Sequence, residues 1–181
     1  MNNKRNQRAY SFIEITKADD DRREINGIAT TPSVDAVGDI VEPLGGEFTL
    51  PLPFLWQHDH RQPIGHVTHA RATPEGISFT AKLVKIAEPG RLKDRLDEAW
   101  HSIKSGLVRA TSIGFIPLQH EPIASGGLKY TRWSWSELSA VTVPANQDCT
   151  IATVKHFDIG LHRAERQQRQ LVIHEIRRNE I

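Results

Sequence analysis

Apolar and polar residues change their period along this chain, and the changes divide it into elements. Tyr10–Thr16 and Glu24–Ala29 are rich in β-branched residues and flank the acidic turn Asp19-Asp20-Asp21, a pattern that predicts two strands. Thr31 to Glu47 is rich in Gly, Pro and Asp and predicts a long ordered loop. Ile77, Phe79, Ala81 and Leu83 then alternate with Ser78, Thr80 and Lys82, as in a strand with one buried face. At Leu92, Leu96, Trp100, Ile103 and Leu107 the apolar spacing lengthens to three and four residues, with charged residues off the stripe. That spacing predicts an amphipathic helix, with Pro89 in its first turn and Gly106 at its C-terminal cap.

The chain becomes strand-like again from Leu107 to Pro117 and from Leu128 to Val143, on either side of Ala124-Ser125-Gly126-Gly127. A hairpin of these two strands brings Ser112 and Glu137 into neighbouring parts of one sheet. Gly114, beside Ser112, is expected to let a backbone or a substrate approach closely. Residues 1–9 are polar and basic and are expected to be a disordered tail. Residues 10–155 form the single domain that 181 residues allow, and residues 156–181 a helical or frayed tail.

Composition narrows the functional classes. A formal charge of +1 gives no electrostatic footprint for nucleic acid or a membrane surface, and neither is expected as a partner. The single cysteine, Cys149, excludes an intramolecular disulfide and is expected to be a packed or half-exposed residue near the end of a strand rather than a nucleophile. Neither a signal peptide nor a membrane-spanning run is visible, so the cytoplasm is the expected compartment.

Three polar frames carry candidate chemistry: Leu55-Trp56-Gln57-His58, Thr111-Ser112-Ile113-Gly114-Phe115, and Glu137-Leu138-Ser139 running on to Val143-Pro144-Ala145-Asn146. A serine hydroxyl needs a base within hydrogen-bond reach and a third group that fixes the tautomer of the base. The three frames supply one of each. Ser136 and Ser139 compete with Ser112 as nucleophile, but they share a strand with the proposed acid and are expected to pack or cap. His60, two residues after His58, would face the same side of an extended segment and is an alternative base or orienting group. His66 and His69 are expected at the surface. Asp59 would point to the opposite face. The pair His58 and His60 also admits a zinc site, although Arg61, Gln62 and Pro63 stand where further ligands would be sought.

Phe54-Leu55-Trp56-Gln57-His58-Asp59, closed by Pro63-Ile64-Gly65-His66-Val67, resembles the histidine motif of the tailed-phage prohead serine proteases. Ser112-Ile113-Gly114-Phe115 is similar to the nucleophile motif of that family, and Glu137 to Asn146 to its third block. With Gly27-Ile28-Ala29 and Asp35 to Asp39, the resemblance spans roughly residues 10 to 155 in order.

The resemblance implies His58 as base, because the Trp-x-His pattern falls on it, together with Ser112 as nucleophile and Glu137 as third member. It also implies a relationship to the herpesvirus assemblins, and hence a mainly β fold with α, an antiparallel β-barrel surrounded by helices. In the assemblins the third member is a second histidine, which keeps His60 and His66 in view. Arg132 and backbone amides are candidate oxyanion donors.

What the resemblance implies about function is an endopeptidase that cleaves scaffold, major capsid protein and itself inside the immature capsid, in the host cytoplasm. It implies a homodimer and no metal or organic cofactor. The alternatives are a catalytically inactive assembly or scaffolding relative and a zinc-dependent hydrolase.

Overall fold

The computed structural model describes residues 22–124 and 126–152. The two tails and the strand expected at Tyr10–Thr16 lie outside the described residues. Nine strands make one mixed sheet: β1 (Glu24–Thr30), β2 (Ile40–Val41), β3 (Gly46–Glu47), β4 (Leu52–Trp56), β5 (Asp59–Thr73), β6 (Gly76–Leu83), β7 (Ala110–Pro122), β8 (Leu128–Val141) and β9 (Ile151–Ala152). One α-helix, α1 (Arg91–Lys104), and one 3-10 turn (Pro43–Gly45) complete the described residues. The surround of helices expected from the resemblance is therefore not found among them.

Strand order is β2-β8-β4-β5-β6-β1-β9, with β3 and β7 also on β8. The long strand β8 organises this arrangement. Along one side it takes β2, β3 and β4 in succession, all parallel to it, and along the other it takes β7 antiparallel. The sheet is thus mixed rather than antiparallel, because chain segments from the predicted loop return alongside β8 instead of forming a hairpin with it. That loop, Thr31 to Glu47, contains β2, the 3-10 turn and the start of β3–β8 pairing. At the far end of the sheet, Thr150 bridges to Ala110 of β7, and the Ile151 N–H donates to the Arg109 carbonyl at 2.8 Å.

Alternation in β6 is as expected, with Ile77, Phe79, Ala81 and Leu83 buried and Ser78 and Lys82 exposed. The middle of the helical stripe, Leu96, Ala99, Trp100 and Ile103, packs into the same core as Ile25, Phe79 and Trp133. Its ends do not: Leu92 and Leu107 are exposed. Pro89 lies outside the helix, before the N-cap Gly90, while Gly106 follows the last turn with φ +75, a left-handed backbone that suits glycine. Arg23 ties the helix to β1 by donating to Asp97 at 2.5 Å and lying 6.0 Å from the Trp100 ring centroid. Trp100 is 1% exposed, so Trp100→Ala leaves a large void under the sheet and is expected to destabilise the fold by about 3–5 kcal/mol. Urea denaturation of the two proteins measures the difference.

Candidate active site

Hairpin register brings the polar frames together. In the β7–β8 ladder Ser112 stands opposite Ser139 and Gly114 opposite Glu137, as the sequence predicts for neighbouring strands. Cross-strand partners and residues two apart share a face, so Ser112, Gly114, Glu137 and Ser139 all lie on one side of this ribbon. Immediately beyond, the register slips between Gly114 and Phe115, leaving Ser136 as the extra residue of a bulge; its hydroxyl donates to the Gly114 carbonyl at 2.7 Å. The ladder resumes beyond it at Phe115 opposite Trp135.

His58 arrives from the other side of β8. Trp56 pairs with Asp59 across a two-residue hairpin whose central residues, Gln57 (φ 53) and His58 (φ 59), are both left-handed. Such turns ordinarily carry Asn and Gly, because a Cβ is unfavourable at positive φ. Here β8 holds the turn in place. The Gln57 N–H donates to the Ala140 carbonyl at 3.0 Å, and its side-chain amide both donates to the Thr142 hydroxyl (3.0 Å) and accepts from the Thr142 N–H (3.2 Å).

The turn presents His58 Nδ1 to Glu137 Oε1 at 2.8 Å. The Glu137 side chain is 5% exposed, and a buried carboxylate is tolerable only when its oxygens are hydrogen-bonded. Its second oxygen, Oε2, accepts from the Ser139 hydroxyl at 2.7 Å, and its backbone carbonyl accepts from Trp135 Nε1 at 2.6 Å. The His58 side chain is 44% exposed, far more open than the acid it contacts. With Nδ1–H donating to the carboxylate, the neutral imidazole keeps Nε2 free as an acceptor. The hydrogen bond to Glu137 raises the pKa of His58 above its ordinary 6.5, partial burial opposes the shift, and the carboxylate charge adds to it.

Gly114 has a different role from the one expected. A Cβ at this position would overlap the Glu137 carboxyl, with Cδ only 2.8 Å away. The missing side chain makes room for the buried acid, not for a substrate or another strand. The left-handed turn breaks the extended geometry on which the equivalence of His58 and His60 was based, and His60 is exposed on β5. His66 and His69 are exposed as expected. Asp59 is engaged with Arg61 and Gln62, which hold its carboxyl far below the usual carboxylate range. Arg132 forms an ion pair with Glu47 and lies seven residues along β8 from Ser139, roughly 20 Å at strand spacing, too far to serve the Ser112 hydroxyl. Cys149 is buried, its thiol pushed up to about 12 by desolvation. Among the described residues no group of three or more His, Cys, Asp or Glu side chains gathers to hold a metal ion, and no helix is long and apolar enough to cross a membrane.

Reading by residue type missed two contributors. Gln57 sits between the tryptophan and the histidine without any turn-forming signature. Ser139 carried a signal, since two residues after Glu137 on a strand is the same face.

A buried acid, an imidazole joined to it and a serine on the adjoining strand are the groups that a serine hydrolase requires. The family model for caudovirus prohead serine proteases matches residues 29–162, and the chain belongs to that family. It is 57% identical over 152 residues to the capsid polyprotein of Pseudomonas phage PAJU2, covering 83% of this chain and 23% of the relative. It is 28% identical over 143 residues to the prohead protease of Escherichia phage T5, covering 75% of this chain and 64% of the relative. The chain thus spans less than two thirds of either relative. Among solved structures, KSHV protease in complex with a hexapeptide phosphonate inhibitor is similar with a TM-score of 0.43 and 13% identity, over 71% of this chain and 63% of that one.

Two outcomes are expected from this geometry. Gly114→Ala should leave the fold intact but push the Glu137 carboxyl away from His58. A displacement of about 1 Å at such a site is expected to lower kcat on the order of 10²-fold, measured on any substrate the chain turns over.

His58 should titrate above 6.5 in an NMR experiment, and Glu137→Gln should lower that value. A group whose folded pKa is raised stabilises the fold below its unfolded pKa, so the contribution of this pair is fully present below about 6.5 and is lost as pH rises through the folded value.

Proposed function

We propose that the chain is an endopeptidase in which Ser112 is the nucleophile, His58 the general base and Glu137 the group that orients and charges His58. The observation that carries this reading is the 2.8 Å contact of His58 Nδ1 with a buried Glu137, on the strand directly paired with that of Ser112. In the reaction the Ser112 Oγ attacks the scissile carbonyl carbon while its proton passes to His58 Nε2. Glu137 stabilises the imidazolium that results. Collapse of the tetrahedral intermediate returns the proton to the leaving amine and leaves an acyl-enzyme on Ser112, which water hydrolyses by the same proton relay in reverse.

The substrates proposed are the scaffold and major capsid protein, and the chain itself, inside the immature capsid in the host cytoplasm. Membership of the prohead protease family and similarity to a capsid polyprotein support this choice. The bridge of Thr150 to Ala110 supports reading the sheet as closing into the expected barrel. The homodimer belongs to the same reading on the family resemblance, and sedimentation of the purified chain tests it.

Ser112→Ala is expected to abolish cleavage of the capsid protein, a loss on the order of 10⁴-fold or more, and to abolish labelling by a serine-directed phosphonate. Glu137→Gln should lower kcat severely but less, and His60→Ala should be mild. A folded Ser112→Ala protein that still cleaves overturns the reading, and a crippling His60→Ala beside a silent Glu137→Gln replaces the acid by a second histidine. Because the base must be neutral, kcat/KM should rise with pH through a value above 6.5, and it should survive chelators. Chelator-sensitive turnover lacking phosphonate labelling would identify the zinc hydrolase instead.

A further inference from the structure

A charged cleft opens one peptide away from His58. It has a volume of about 730 Å³ and is lined by Asp59, Arg61 and Gln62 of β5 and by Arg91, Leu92 and Arg95 of α1. The first turn of the helix carries its three residues to the start of the strand, and Arg95 Nη1 fixes the approach by donating to the Arg61 carbonyl at 3.4 Å.

Charge in the cleft is unbalanced: three guanidinium groups face one carboxylate. That carboxylate, Asp59, is already saturated. It accepts from the Arg61 backbone (2.9 Å) and side chain (3.1 Å) and from Gln62 Nε2 (2.8 Å). Arg91 and Arg95 pair with no carboxylate among the described residues. Arg95 Nε is moreover shielded from water and has no hydrogen-bond partner. The N-cap of α1, Gly90, has no side chain to bond the first-turn N–H groups, so the positive end of the helix dipole adds to the same field. Asp94 is in that turn but does not line the cleft. Guanidinium groups bind carboxylates through paired, charge-assisted hydrogen bonds, and these are the donors left over here.

We propose that this cleft is a specificity subsite that receives an acidic side chain, Asp or Glu, of the polypeptide substrate within a few residues of the scissile bond. The inference rests on the protease reading and adds to it the chemistry of substrate choice. Asp59, on the wall of the cleft, is the next residue after His58, and this adjacency is what relates the cleft to the site.

The test is a peptide-library digest read by mass spectrometry, followed by kinetics on the best peptide and its Glu→Gln or Asp→Asn counterpart. For the native chain, one position within about four residues of the cut should be enriched in Asp or Glu. The acidic peptide should be favoured about tenfold in kcat/KM, as for one charge-assisted hydrogen bond. Arg91 is exposed, so Arg91→Glu is compatible with the fold. It should bring that ratio to one or below and should favour a lysine at the same position. Arg95→Gln should reduce the ratio as well. A native chain that labels with the phosphonate and cleaves without acidic preference overturns the subsite and leaves the protease reading standing, as does a preference unchanged in both variants. A chain that neither labels nor cleaves overturns both.

Discussion

A carboxylate buried on an interior strand is the constraint around which this molecule is arranged. Glu137 is 3% exposed, and desolvating an ionised carboxyl costs several kcal/mol unless donors replace the lost water. Two replacements come from side chains, His58 on one oxygen and Ser139 on the other. Each further feature of the site follows from keeping that arrangement. Glycine at position 114 clears the space the carboxyl occupies, and the bulge at Ser136 shifts the ladder register just beyond it. The hairpin at Gln57-His58 accepts an unfavourable backbone because hydrogen bonds to Ala140 and Glu137 of β8, and two to Thr142 just past its end, hold it there.

The same arrangement sets the protonation logic. Because Glu137 takes Nδ1, the tautomer of His58 is defined and its outward nitrogen is an acceptor. The carboxylate then favours the charged imidazole, the state a base reaches after accepting a proton. One interaction therefore both orients the ring and prepares it for the charge it will carry.

Much of this was legible in the sequence where local rules apply. The Gly-rich turn after Ala124 and the two strand-like runs around it placed Ser112 beside Glu137, and the three- and four-residue spacing found the buried part of α1. Long-range and unusual features were not legible. Nothing in the period of Leu52–Trp56 shows that it runs parallel to β8, since that pairing is decided by segments about 80 residues apart. Gln57 and His58 lack turn chemistry, so extended geometry was assumed where the chain turns, and the facing of His60 drawn from it does not follow. At Gly114 the residue type showed that something approaches closely, but only the fold shows that it is the Glu137 side chain.

The separation of 79 residues between His58 and Glu137 has a consequence in time. Contacts of such long range form late, because the loop between them must close before either partner gains anything. A chain leaving the ribosome carries its imidazole long before its acid exists, and even a complete chain lacks the pair until β4 has docked on β8. Whatever chemistry the site performs, its onset is tied to completion of the sheet.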